Sequence, residues 1–435
     1  MTGLEIGALS LAAMLLLIWA GMHVAVALTL LSFIGVWAIK GNWVIASKLL
    51  ALAAYDSIAN HIFGVVPLFV LMGLLVSVSD IGKDTFEVAH RLFRRLRGGL
   101  GIATVAANAV FAAITGISIA SAAVFTKVAV PEMLKLGYTP RFATGVVAGS
   151  SVLGMLIPPS LLLILYGFLS ETSVGALFIA GIIPGLLLAV AFGLAILLMA
   201  HRFPAFVGGE TASDMGETIT LAEAGAKLAP IVLLIAVVLG GIYGGLFTPT
   251  EAGAVGALGA LLLALAKRKL TPAGFWRVLV ETGHVTVSIS FLIIAASIYT
   301  RMLTLAGIPQ FLIAGVEGAE LGFAALLAIY VIVILIMGTV LDSTSILLIA
   351  LPLILPIVGG FDVDLVWFGI VTILAVEIGL LTPPLGIAVY VIKSTLDDAR
   401  IGLGDIFVGA APFALIMLFV LLAVIAWPQL SLALL

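Results

Sequence analysis

The sequence predicts an all-α polytopic membrane protein with two inverted repeats, each holding a re-entrant helical hairpin and a transmembrane helix broken at a proline pair. Three observations lead there. Of the 435 residues, 63% are hydrophobic and 9% charged, with a mean hydropathy of +1.36, whereas a soluble domain carries about 25% charged residues. Two long apolar runs hold small and hydroxylated residues at their centres. A set of glycines, serines and prolines recurs at a fixed offset of 225 residues.

A segment of about 20 apolar residues covers a hydrocarbon core of about 30 Å. Such segments are read at Leu4 to Ile39, as two short helices broken near Gly21, and at Ile62 to Ser79, Gly101 to Val130, Phe142 to Leu169 and Val174 to Ala200. They continue at Leu228 to Phe247, Ala252 to Ala266, His284 to Leu305, Leu321 to Val358, Leu365 to Ile392 and Ile406 to Ala426. The first run follows Glu5 and no basic stretch, so it reads as a membrane helix and not as a cleavable signal.

Composition excludes several chemistries. With no cysteine there is neither a disulfide framework nor a thiolate metal site. His23, His61, His90, His201 and His284 are scattered, without the spacing of a zinc helix. Nothing points to nucleic acid. The net charge of -3 says little, because in a membrane protein the placement of Lys and Arg is what informs.

Two runs depart from ordinary spans. Gly101 to Val130 carries TGISIAS (Thr115 to Ser121) in its middle, and Leu321 to Val358 carries GTVLDSTS (Gly338 to Ser345). Such centres suit hairpin tips, where non-helical backbone survives because it is buried in protein or faces water. If each hairpin returns to its own side and Lys83 to Arg97 is cytoplasmic, 15 of the 19 basic residues are cytoplasmic. Only Lys40, Lys48, Lys127 and Arg301 fall elsewhere, and both termini are then periplasmic. Arg91 to Arg97 reads as an amphipathic arm on anionic lipid of the cytoplasmic leaflet.

The offset of 225 pairs Gly82 with Gly307, Ser118 with Ser343, Pro131 with Pro356, Gly154 with Gly379, Pro158 with Pro383 and Pro159 with Pro384. On the charge map the hairpin around Ser118 enters from the cytoplasm and that around Ser343 from the periplasm, so the repeats are inverted. Discontinuous helices in matching positions of two halves mark the binding site of secondary transporters. The resulting division is 1–61, N-terminal scaffold helices; 62–203, first repeat, with arm 83–97, hairpin 101–130 and broken helix 142–169; 204–283, connecting loop, scaffold helix pair and second arm; and 284–435, second repeat, with hairpin 321–358 and broken helix 365–392.

Each hairpin is followed by an interrupted helix, GSSVLGMLIPPS (Gly149 to Ser160) and EIGLLTPPLG (Glu377 to Gly386). Proline lacks an N–H and clashes with the carbonyl four residues back, so a pair after glycine unwinds the helix. Freed carbonyls, with the hydroxyls of Ser118, Ser121, Ser150, Ser151, Ser343, Thr344 and Thr382, offer oxygen ligands to a hard cation. Half-helix N-termini can face an anion. One Pro-Pro break alone is as readily a packing kink; two copies, each after a hydroxyl-rich tip, form a constellation.

TGISIASAA, LGYTPRFATGVVAGSSVLGMLIPPS, SVGALFIAGIIPG, YGGLFTPTEAGAVGA, LDSTSILLIALPLILP and FGIVTILAVEIGLLTPPLG resemble the large membrane subunit of TRAP (tripartite ATP-independent periplasmic) transporters, from about Ile62 to the C-terminus. The resemblance implies a multi-pass protein of the bacterial inner membrane and sodium-coupled uptake of organic anions such as dicarboxylates, sialic acids or keto acids. It also implies a periplasmic binding protein that delivers the substrate, a small four-helix membrane subunit, no cofactor beyond Na+ as coupling ion, and an elevator motion of hairpins and broken helices.

Carried onto this chain, one sodium site lies between Gly116 and Ser118 of the first tip and Ser150, Gly154 and Pro158 of its break. A second lies between Gly338, Asp342 and Ser343 and the break at Gly379, Thr382 and Pro383. The substrate contacts expected are Ser150, Ser151, Pro158, Pro159, Thr382, Pro384 and, on chemical grounds, Arg301. The chain departs from the family pattern at Ile117, at Ser121 in an acidic position, and at Glu377 where a small or apolar residue is usual.

Asp342 at a tip is an intramembrane carboxylate, read as an ion ligand against a helix cap. Glu377 reads as tuning a sodium site or relaying a proton, against a neutral glutamate. Arg301 and Lys127 also fit snorkelling to the interface, and Glu251 opens a helix. A single-component sodium- or proton-coupled carboxylate transporter is the alternative within transport. An intramembrane enzyme would need a base beside a tip serine, and neither tip holds His or Lys.

Overall fold

The computed structural model describes residues 1–59, 64–209, 220–396, 398 and 400–435. His61 and Ile62, at the start of one expected span, lie outside the described residues, as does part of the connecting loop. The regular structure of the described residues is helical. Five of these helices are long and apolar enough to cross a membrane, or up to seven if each of two bent pairs is one span.

Contacts divide the chain into two units. The first comprises Met1–Gly64, Gly283–Val333 and Thr344–Asp364. It opens with two 17-residue helices, Gly3–Trp19 and Val24–Lys40, separated where Gly21 takes a φ of 89° that side chains disfavour. At 1.5 Å per residue each is about 25 Å long, which is why the break produces short spans. Glycines set their packing. A Cβ on Gly7 would lie 2.6 Å from the Ile308 side chain, and one on Gly35 would lie 2.9 Å from Met302. Lipid tails are as apolar as leucine, so close approach at small residues, and not removal from water, holds membrane helices together. Ser10 Oγ and Tyr299 Oη lie 3.2 Å apart in the same core.

A helix missing from the apolar-run reading, Trp43–Ala59, also belongs here. Lys48 and Asp56 interrupt its apolar residues, so no continuous run announces it. The helix Pro272–Ala306 extends without interruption through residue 284, where a separate span is expected to begin, and the boundary between the two units falls inside it at Thr282 and Gly283.

The second unit comprises Val65–Thr282, Ile334–Ser343 and Leu365–Leu435. Val65–Val78 packs on Pro249–Ala266 through Gly253, whose Cβ would meet Leu68 and Phe69, and through Gly256, which faces Met72. Thr248 and Glu251 form a reciprocal capping box at the start of the latter helix, the role expected of Glu251. Such a cap is worth about 1 kcal/mol.

The arm is a helix over Ile81–Phe93 that buries Ile81, Thr85, Phe86, Val88 and Ala89. Its acids and the Asp80 before it are held by lysines: Glu87 pairs at 2.6 Å with Lys227 of the helix Leu221–Tyr243, Asp80 at 2.7 Å with Lys269, and Asp84 with Lys267, both just past the end of Pro249–Ala266. Leu92, Arg95, Leu96 and Arg97 are left exposed at the C-terminal end. Elsewhere in the unit, Leu403–Ala426 crosses Pro140–Ser151 where Gly145 meets Gly409 backbone to backbone.

Candidate functional site

The first hairpin has legs Gly99–Thr115 and Ser118–Lys135. Gly116 ends the first leg at φ 60°, left-handed, and Ile117 is extended, so two residues reverse the chain. The helix that follows runs Pro140–Ser151 and Leu153–Leu156, then unwinds through a cis Pro158–Pro159 bond and restarts as Leu161–Ser170, bent by 42°. Tip and break interlock. Leu161 N–H, freed by the break, donates to Gly116 O at 3.1 Å. A Cβ on Gly116 would lie 2.5 Å from Pro159 O, and one on Gly154 would lie 3.3 Å from Ser118 N.

Ser160 caps the second half-helix through Leu163 N–H. Asn108 Nδ2 donates to Ser150 Oγ at 2.8 Å, a buried pair that ties the hairpin leg to the helix before its break. Ser151 instead donates to Ala148 O of its own helix.

The second tip lies between Phe323–Gly338 and Ser343–Val358, and its broken helix runs Leu365–Gly379, then cis Pro383–Pro384, then Ile387–Thr395. The same logic repeats. Leu385 and Gly386 N–H groups donate to Thr339 O of the tip at 3.1 and 3.3 Å. Gly338 and Gly379 touch backbone to backbone, each Cβ position 2.6 Å from the other's Cα. Thr382 Oγ1 donates to Ile378 O, so its hydroxyl satisfies its own helix. The breaks differ in access: Pro158, Pro159 and Ser160 are buried, whereas Pro383, Pro384 and Leu385 are exposed.

Glu377 joins the two tips. Its Oε1 accepts from Ser343 Oγ at 3.0 Å, and the Ser118 hydroxyl of the other hairpin lies beside the same carboxyl. Glu377 is 2% exposed. Its Oε2, with Ser118 Oγ, Ser121 Oγ and Asn108 Oδ1, is buried without a well-formed hydrogen bond. Orphaned buried acceptors are rare in native proteins and call for an explanation. Asp342 sits one residue before Ser343, half-buried where the second leg begins.

The family profile of the tripartite ATP-independent periplasmic transporter, DctM component, matches residues 11–430. The chain belongs to this family. The C4-dicarboxylate TRAP transporter large permease protein DctM of Pseudomonas aeruginosa is 34% identical over 388 residues, 88% of each chain. The sialic acid TRAP transporter large permease protein SiaM of Vibrio cholerae is 34% identical over 382 residues, 87% of each. The isethionate TRAP transporter permease protein DctMQ of Oleidesulfovibrio alaskensis is 32% identical over 351 residues, 80% of this chain and 54% of that one. Among solved structures, the Alcanivorax borkumensis YdaH transporter has the same fold, with a TM-score of 0.59 at 13% identity over 89% of this chain and 90% of that one. The chain is thus a multi-pass membrane protein of a transporter family.

Within this TRAP permease the structure brings together Gly116, Ser118, Gly154 and Pro159 at the first tip and break, and Gly338, Ser343 and Gly379 at the second. Arg301 belongs to the first unit, where its guanidinium donates to Asp56 at 2.8 Å. Asp56 lies on the helix Trp43–Ala59, where it and Lys48 interrupt the apolar residues. Arg301→Ala should therefore leave the substrate concentration at half-maximal uptake unchanged. Because the pair is partly exposed, its loss should lower stability by no more than about 1 kcal/mol. Substrate saturation and thermal unfolding of the variant check both.

A cleft of about 570 Å³ lies elsewhere in the second unit, lined among others by Thr139, Arg141, Phe206, Asp398, Arg400 and Asp405. Its carboxylates already pair with its arginines: Asp405 with Arg141 at 2.9 Å and Asp398 with Arg400 at 2.7 Å. The hydrogen bonds from Arg400 hold the Asp398 carboxyl down at about 2. This cleft offers an anion no unpaired arginine, and it contains none of the tip residues.

Proposed function

We propose that this chain is the large permease of a tripartite uptake system in the bacterial inner membrane. It carries an organic anion of the C4-dicarboxylate, sialic acid or keto acid type, driven by sodium. A periplasmic binding protein delivers the substrate, and a small four-helix membrane subunit completes the membrane part. The observation that supports sodium is the chemistry of the tips. Ser118, Ser121 and Glu377 each present a buried oxygen without a well-formed hydrogen bond, and the set has neither thiolate nor imidazole. Oxygen-only donors select hard cations.

The substrate classes come from what relatives carry by name: C4-dicarboxylate in one, sialic acid in another. The DctMQ relative is much longer than this chain, which accords with a second membrane part being present in the system. The difference in exposure between the two breaks supports access from one side at a time, the elevator motion of tips and breaks as one body. The exposed Leu92, Arg95, Leu96 and Arg97 suit an arm that rests on anionic lipid.

The test is uptake into proteoliposomes containing this chain and its small membrane partner, with the binding protein outside. Replacing sodium by choline should reduce uptake to background. Unchanged uptake in choline would overturn sodium coupling, and full uptake without the two partner proteins would return the single-component reading.

A further inference from the structure

We propose that Glu377 is the anionic ligand of a monovalent-cation site that the two hairpin tips share, with the Ser118 hydroxyl as a second ligand and Ser343 holding the carboxylate in place. The inference rests on the sodium-coupled reading and adds to it an ion site distinct from those formed by each tip with its own break.

Glu377 is the one acidic or basic residue among the buried side chains of the described residues. No buried lysine or arginine is there to balance it, and an isolated buried carboxylate is strongly disfavoured unless it is paired with a cation or takes up a proton. Its two oxygens are not equivalent. Oε1 accepts from Ser343 at 3.0 Å, which fixes the carboxylate plane, while Oε2 makes no well-formed hydrogen bond and the Ser118 hydroxyl lies against the carboxyl. Ser118 beside it is 1% exposed, and its hydroxyl makes no well-formed hydrogen bond other than this approach to the carboxyl. Ser121 is three residues further on the same helix, hence on the same side, and its hydroxyl is orphaned too.

A buried carboxylate with the hydroxyls of two hairpin tips against it is an oxygen set that a cation can use. The charge count selects its valence. One carboxylate balances one positive charge, and no group of three or more His, Cys, Asp or Glu able to hold a metal ion occurs among the described residues. Divalent calcium takes six to eight oxygens at about 2.3 to 2.6 Å, commonly several of them carboxylates.

The position gives the ion a role. Ser118 opens the second leg of the first hairpin, Ser343 opens the second leg of the other, and Glu377 lies two residues before the Gly379 contact. An ion here draws both tips to one broken helix, so its release loosens the pieces that must move together.

The measurement is sodium binding to the purified membrane complex by calorimetry, together with sodium-dependent thermal unfolding. Wild type is compared with Glu377→Gln, which keeps the shape and removes the charge. The expected result is one sodium fewer per chain in Glu377→Gln and a smaller rise in unfolding temperature on adding sodium chloride. The other sodium ions should bind as in wild type. Glu377→Asp should restore the full count with half-saturation raised at least fivefold.

If wild type binds sodium and Glu377→Gln binds the same number with the same affinity, the shared site is overturned and the sodium-coupled reading stands. If wild type binds none, both fall. Where Glu377→Gln fails to fold, Glu377→Asp decides, and an unchanged half-saturation in it overturns the proposal.

Discussion

Uptake by Gly379→Val should fall at least tenfold at matched amounts of folded protein, and Gly116→Ala should act in the same direction at the other tip. At Gly379 an added Cβ would lie 2.6 Å from Gly338 Cα and 3.0 Å from Leu335 O. Both are backbone atoms that no rotamer change can move aside. The two helices must separate by most of an ångström, and overpacking of that kind costs about 1–3 kcal/mol even when the neighbours can adjust. The separation would displace Thr339 O, the acceptor of the two N–H groups released by the second break.

Gly116 combines the same clash, 2.5 Å from Pro159 O, with a left-handed φ of 60°. For an alanine that conformation adds about 1–2 kcal/mol. Gly404→Ala is the control, since a Cβ there meets nothing within 4 Å and uptake should be unaffected. Initial rates in proteoliposomes, normalised to folded protein, measure all three. Normal uptake by Gly379→Val would mean that the tip and break do not function as a closed contact.

Asp342→Ala should raise the sodium concentration for half-maximal uptake at least tenfold, and Ser118→Ala by about fivefold. The ratio follows from charge. Removing a neutral hydroxyl ligand costs about 1 kcal/mol, and a charged one costs about 1.5–3 kcal/mol; each 1.4 kcal/mol is a factor of ten. Asp342 is half-buried, immediately before the helix Ser343–Val358, so a helix cap is the competing role. The two roles separate cleanly when folded yield in detergent is measured beside the sodium dependence. A cap predicts less folded protein with unaltered sodium dependence in what survives, and that result would remove Asp342 from the ion site. Ser118 provides the contrast, because its neutral hydroxyl caps no helix and makes no well-formed hydrogen bond whose loss would unfold the chain.

Much of the architecture was legible in the residues because it rests on local chemistry. Pro158–Pro159 and Pro383–Pro384 break their helices wherever the rest of the chain lies, since a missing N–H and a ring clash act within one turn. Gly116 reverses its hairpin because only glycine takes φ 60° without cost. The Thr248 and Glu251 cap needs only a spacing of three. The apolar runs, the tips, the breaks and the 225-residue repeat were therefore determined by the sequence itself.

Partners were not. Glu377 reads in sequence as an anomaly beside a break; its meaning comes from Ser118, 259 positions earlier, and from Ser343, 34 earlier, and no period or spacing announces either. The partner of Arg301, Asp56, lies 245 residues away on a helix whose charged residues interrupt its apolar pattern. The two Pro-Pro breaks look alike as strings, yet one is buried and the other open. Local backbone preference acts over a few residues and can be read along the chain, whereas the partner of a buried charge and the accessibility of a break depend on which distant segments the tertiary fold brings within a few ångströms.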